Sequence, residues 1–203
     1  MLKQNLIMTA KIVEKVAEEQ YFVLPGDRNW QQFKAIEDLM SEVPGLRISY
    51  LDGCIELRTI SEQHELIKKA IAILLEAYFF SMKIEYIPVG SATRASEAKS
   101  ASFEPDESYY LNEKKEHLDL ALEVVISSGS SKKLDKYKRF NISEVWFWEN
   151  NQLSLYRLRD DNYDTISRRS ELLPELDIEL LARCALIPSR LEAMTQFMAG
   201  ITQ

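Results

Sequence analysis

Apolar positions along the chain recur with two different periods, and the changes of period mark out its elements. Trp30, Phe33, Ile36 and Met40 stand at helical spacing, which predicts a helix over 30–43, capped by Asn29 and stopped by Pro44-Gly45. The period then drops to two. Residues 46–51 and 54–59 are short alternating runs joined by Asp52-Gly53, the strongest local signal for a hairpin. Ser61 opens a long amphipathic helix to about Ser81, with His64, Ile67, Ile71, Leu74, Leu75 and Tyr78 on its inward face.

Residues 84–89 and 103–111 read as two strands, separated by the polar, turn-like stretch 90–96. The run 118–127 is the most strand-like of all. Both of its faces are largely apolar, which predicts a central strand covered on each side. Ser127-Ser128-Gly129-Ser130 breaks it and supplies a cap for a helix from about Ser131 to Phe140. Residues 144–148 and 153–158 form a second hairpin across 149–152, and 176–185 and 188–198 look helical. No repeat, linker or low-complexity tract interrupts this order. The expectation is an α/β (α+β) fold, a mixed β-sheet flanked by helices. It comprises a lead-in over 1–28, a core over 29–160, and a helical extension of the same domain over 161–203.

Against that pattern a few charged residues stand out. Glu123 lies between Leu122 and Val124 in the most apolar strand, where an ionised carboxylate needs a cation or several hydrogen bonds. A metal ion and a purely structural ion pair both satisfy it. Asp106 follows Pro105, and a proline inside a strand marks an edge or a bulge that can re-aim the next side chain. A turn aspartate bonding its own backbone is the plainer alternative. On a helical wheel Lys132, Lys136 and Arg139 fall together as a solvated face. Lys133 instead falls with Tyr137 and Phe140, toward the sheet, where Glu123 is its nearest candidate partner. Two carboxylates and a lysine at one spot make a natural cradle for a divalent metal and a phosphodiester. His64, at the start of its helix, has Glu56 as a candidate partner, and His117 is expected to be exposed.

Composition narrows the choice of function. The formal charge of −7 argues against coating nucleic acid through bulk electrostatics, so a nucleic-acid enzyme would need a local basic groove or metal ions. No apolar run reaches the ~20 residues needed to span a bilayer. Cys54 and Cys184 have no metal-ligand neighbourhood, which leads to an expectation of reduced thiols and a cytoplasmic protein. No Gly-x-Ser-x-Gly elbow, phosphate loop or dinucleotide glycine fingerprint is present.

The combination Trp30…Phe33, Tyr50-Leu51-Asp52-Gly53…Glu56, His64, Glu104-Pro105-Asp106, Asp119 through Val125, Lys133…Tyr137 and Glu144-Val145-Trp146 resembles the Uma family of restriction-endonuclease-like proteins. That family is a branch of the PD-(D/E)XK nucleases. The resemblance implies a restriction-endonuclease-like core and Mg²⁺-dependent hydrolysis of DNA, with Mn²⁺ as a substitute metal. It also implies that Asp106 and Glu123 are the two acids and Lys133 the lysine. The superfamily's usual lysine position is here Val125, whose carbonyl is expected to join Asp106 and Glu123 as a metal ligand. Glu56, His64 and Tyr137 are implied as supporting residues. A homodimer would suit double-strand cleavage, and Trp146, Phe147 and Trp148, on both faces of one strand, leave room for a partner subunit. A nuclease fold that binds nucleic acid or protein without turnover is the rival reading.

Overall fold

The structure, a computed structural model, describes residues 19–24, 26–125, 133–167 and 169–201. Its first unit is built on a hairpin. Strands β2 (Leu46–Leu51) and β3 (Cys54–Thr59) pair antiparallel, with Leu51 opposite Cys54 and Arg47 opposite Arg58. Asp52 and Gly53 both take positive φ (46° and 88°), the geometry a two-residue turn needs to match strand twist. Helix α1 (Trp30–Met40) is held by a capping box between Asn29 and Gln32, and its Phe33 stacks on Tyr50 at 4.9 Å beside Ile55. Strand β1 (Tyr21–Leu24), not expected from the sequence, adds to the outer edge of β3.

Helix α2 (Glu62–Met82) starts at the Ser61 cap and ends on Lys83 in the left-handed region. Beyond it the chain lays down β4 (Tyr86–Pro88), β5 (Arg94–Ser96), β6 (Ala101–Phe103) and β7 (Glu107–Leu111). Two expectations change here. Arg94–Ser96, read as part of a turn, is a short strand pairing with β6. The run 103–111, read as one strand, is cut at Glu104-Pro105-Asp106. β6 belongs to the five-stranded sheet β1-β3-β2-β6-β5, and β7 to a six-stranded sheet. Pro105 lacks an amide to donate, so the chain leaves one ladder at this point and joins another.

The six-stranded sheet has the order β11-β10-β9-β8-β7-β4. Its central members are β8 (Leu120–Val124), β9 (Glu144–Glu149) and β10 (Gln152–Arg159). β8 and β9 are parallel, joined across helix α3 (Leu134–Arg139), and the other pairs are antiparallel. Leu120, Leu122 and Val124 face a core built with α2, α4 (Ile178–Ala185) and α5 (Arg190–Ile201). Ala121 and Val125 face a second core with Tyr137 and Phe147. The prediction of a strand buried on both sides therefore holds. Leu118, which strand alternation would place on the face of Leu120, precedes the strand and joins the second core instead. The region from 161, expected to be helical, opens on a further strand, β11 (Asn162–Ile166), paired with β10.

Trp146 and Trp148 are buried in the first core and Phe147 in the second, so all three aromatics of β9 are covered within the chain and give no sign of a partner subunit. The expected helical lead-in before Glu19, and the Ser127–Ser130 break with its cap, lie outside the described residues. Among the described residues no helix is long and apolar enough to cross a membrane.

Candidate active site

The switch between sheets aims Asp106 into the protein. Its amide donates to the Leu122 carbonyl at 3.1 Å, and its Oδ2 accepts from the Val124 amide at 2.7 Å, so the residue is clamped to β8 by backbone and side chain together. The side chain is fully buried. Its other oxygen, Oδ1, lies 3.1 Å from Arg47 Nη1, 3.2 Å from Arg58 Nη2 and 3.0 Å from His64 Nε2. The turn-aspartate alternative is ruled out by these contacts. His64 is also fully buried, with Nδ1 2.8 Å from Glu19 Oε1. Burial alone would push the imidazole pKa down; Asp106 and Glu19 together outweigh it and hold the pKa above its ordinary value. The sequence reading offered Glu56 as the partner of His64. Glu56 instead pairs with Lys136 and accepts from Ser49 Oγ at 3.0 Å.

Glu123 projects from the opposite side of β8 to the Leu122 and Val124 side chains. Lys133 Nζ lies 3.2 Å from its Oε1, Arg58 Nη1 3.0 Å from the same oxygen, and the Tyr137 hydroxyl donates to Oε2 at 2.8 Å. Burial would raise its pKa; Arg58, Lys133 and the Tyr137 hydrogen bond more than reverse this and hold the carboxyl at about 2. Tyr137 itself is driven upward, by burial first and then by the Glu123 charge. Asp106, Glu123, Lys133 and Tyr137 thus come together at the end of β8, as the sequence spacing suggested. The open side is a cleft lined by Arg47, Ser49, Glu56, Arg58, Glu104, Glu123, Lys133, Lys136 and Tyr137 among others.

Residues 30–186 match the family model of Uma2, described as a putative restriction endonuclease. The chain belongs to this family. A comparison with curated proteins found no match. The Uma2 match runs from the start of α1 to the end of α4 and so contains both acids, Lys133 and the hairpin that covers them. The mixed sheet flanked by helices is the restriction-endonuclease-like core that the Uma2 assignment entails.

The Uma2 relationship implies a divalent metal, and the oxygens here suit one in kind: two buried carboxylates and a backbone carbonyl around one position. The carbonyl is that of Val124, which accepts from Arg58 Nη1 at 3.2 Å. Backbone groups alternate along a strand, and those of Val125 turn to the β9 side, where its amide donates to Trp148 O at 2.8 Å. Val125 is thus not the carbonyl over the site. No cluster of three or more His, Cys, Asp or Glu side chains suited to a metal exists among the described residues. The position between the acids is taken by the Arg58 guanidinium, so the donor set fits a hard cation only with that guanidinium withdrawn.

Arg47, Ser49, Arg58 and Lys136 belong to this site and were missed in sequence, whereas Glu56 was expected beside it. Arg47, Ser49, Glu56 and Arg58 all lie on one face of the β2–β3 hairpin, with Ser49 opposite Glu56 and Arg47 opposite Arg58. The Asp-Gly turn by itself sets this register, so the polar face was legible; what it covers was not. Lys136, assigned to a solvated face, is buried. It reaches Ser49 Oγ at 2.6 Å and pairs with Glu56, because the hairpin closes over α3 from the side away from the sheet. Burial lowers its pKa, an effect that Glu56 opposes. Arg139 is half exposed and pairs with Asp52 at 2.6 Å, and His117 is only partly exposed, beside Asn141.

A pH dependence follows with a definite sign. The Glu123 carboxyl titrates at about 2 folded against an ordinary 4.5, so its contribution is complete above 4.5 and disappears as the pH falls toward 2. His64, raised in the folded state, contributes below about 6.5 and loses that contribution as the pH climbs through its folded value. Urea unfolding of wild type should therefore weaken between pH 4.5 and 2. Glu123→Gln, less stable at pH 7, should approach wild-type stability at pH 3.

Proposed function

We propose that the protein is a nuclease that hydrolyses phosphodiester bonds of nucleic acid, DNA being the expected substrate, in the cleft over the end of β8. The observation that carries this reading is the meeting of Asp106, Glu123 and Lys133, each from a different element, beside a cleft with four cationic linings (Arg47, Arg58, Lys133, Lys136) against three acidic ones (Glu56, Glu104, Glu123). Counted with the buried Asp106 the site is charge-balanced, and in a chain of net charge −7 a cleft wall carrying four cations is where a phosphate backbone would be drawn. Arg47 and Lys133, which line the cleft, would hold the phosphate. Lys133, 3.2 Å from Glu123 Oε1, would orient the attacking water and stabilise negative charge growing on the phosphorane-like centre. Mg²⁺ or Mn²⁺, held by Asp106, Glu123 and the Val124 carbonyl, would supply Lewis acidity and an activated water.

Incubation of supercoiled plasmid with wild type and Lys133→Met in Mg²⁺ or Mn²⁺ tests the assignment. Nicking should fall by roughly 100- to 1,000-fold in the variant, while binding of the same DNA at low salt changes little. Equal nicking by the two proteins would remove Lys133 from the chemistry. Lack of cleavage by wild type across DNA and RNA substrates would favour the second reading, a nuclease fold that binds without turnover. That reading gains support from Arg58, whose guanidinium already pairs with both acids.

A further inference from the structure

Arg58 presents an unusual combination of contacts. Its side chain is largely buried, and its two terminal nitrogens reach Asp106 Oδ1 at 3.2 Å, Glu123 Oε1 at 3.0 Å and the Val124 carbonyl at 3.2 Å. These are the three oxygens that converge at the end of β8. Directly across the hairpin stands Arg47, whose guanidinium reaches the same Asp106 oxygen. Two arginines in register on neighbouring strands repel one another. The shared Asp106 carboxylate lies against both and offsets that repulsion.

We infer that Arg58 is the resident cation of this site, occupying the position between Asp106 and Glu123 in direct competition with a divalent metal. This rests on the nuclease reading for which metal would be involved, but not on the occurrence of cleavage. The physical ground is charge. Asp106 and Glu123 carry two negative charges, while Arg47, Arg58 and Lys133 already bring three positive ones within 3.2 Å of them. A dication added to that set meets net repulsion in a buried setting, where screening is weak. Withdrawal of Arg58 leaves two carboxylates and a carbonyl, an all-oxygen set suited to Mg²⁺ or Mn²⁺. A nucleic-acid phosphate in the cleft offers the guanidinium an alternative bidentate partner, so metal and substrate would bind with positive coupling.

Titration of MnCl₂ into the full chain, followed by the loss of free Mn²⁺ signal in electron paramagnetic resonance, tests this with no cleavage assay. Arg58→Met should bind one Mn²⁺ at least 10-fold more tightly than wild type. Asp106→Asn added to that variant should return binding to the wild-type level or below. Equal affinity of wild type and Arg58→Met overturns the inference, as does wild-type binding tighter than that of the variant. Should Arg58→Met fold only when Mn²⁺ is present, that rescue supports it. If the variant fails to fold with or without metal, Arg58→Lys takes its place. A single ammonium spans fewer of the three oxygens and must still bind Mn²⁺ more tightly than wild type, and no gain there sinks the proposal. Cleavage by a wild type that binds Mn²⁺ tightly would keep the nuclease reading and discard this one. A gain of Mn²⁺ binding in a protein that never cleaves would do the reverse.

Discussion

Asp106→Ala should lower stability by on the order of 3–5 kcal/mol, the cost of breaking a buried ion pair by deleting one partner. The deletion would leave the Val124 amide without the acceptor it has at 2.7 Å, and would leave Arg47, Arg58 and His64 facing one another across a void. Glu123, Glu104 and Glu19 remain to hold those cations in part, which keeps the figure from rising further. Asp106→Asn preserves volume and an acceptor for Val124 but not the charge, and should cost about half as much. Urea midpoints at pH 7 give the comparison. A loss below about 1 kcal/mol for Asp106→Ala would mean that the three cations reach water once the acid is gone, contrary to a buried site. Any phosphodiesterase activity should disappear with the same substitution.

The second large effect belongs to an acid remote from the cleft. Glu144 is fully buried at the start of β9, and its carboxylate accepts four hydrogen bonds: from the Glu171 and Leu172 amides at 2.8 and 3.0 Å, from Trp146 Nε1 at 2.9 Å and from Ser170 Oγ at 2.7 Å. It pins the segment leading to α4 against the sheet. Glu144→Ala would strand all four donors, and at roughly 1–3 kcal/mol for each bond to a charged group, with partial re-satisfaction by water, a loss of about 3–5 kcal/mol is expected. Glu144→Gln should recover about half of this, since its remaining carbonyl oxygen still accepts from two donors while its amide faces the other two. Thermal unfolding measures the loss. Metal affinity, measured below the unfolding transition, should stay at the wild-type value, which separates this structural carboxylate from Asp106 and Glu123.

The contrast among these three acids shows how far a sequence reaches. Glu123 was recognisable because a charge inside an apolar strand demands a partner, and Lys133 because its helical phase matched that of Tyr137. Pro105 marked a break that can re-aim Asp106, but the resemblance to the Uma family, not the proline, chose this acid over a turn aspartate; the break itself moves the chain between sheets. Glu144 gave no such signal. At the first position of a strand an acid looks solvent-exposed, and only the returning segment at Ser170–Leu172 encloses it.

Local periodicity determined the hairpins, the capped helices and a central strand buried on both faces, because those features arise from residues within a turn or two of each other. It also singled out Glu123 and Lys133, whose burial has to be compensated wherever they sit, whereas Asp106 entered through the family resemblance. What the tertiary structure alone decided was which cations do the compensating. Arg58 and Lys136 are separated from Glu123 and Glu56 by long stretches of chain, and nothing in their immediate neighbours distinguishes them from ordinary surface charges. They are buried because the β2–β3 hairpin folds across the end of β8 and over α3, a contact between sheets for which no local pattern codes.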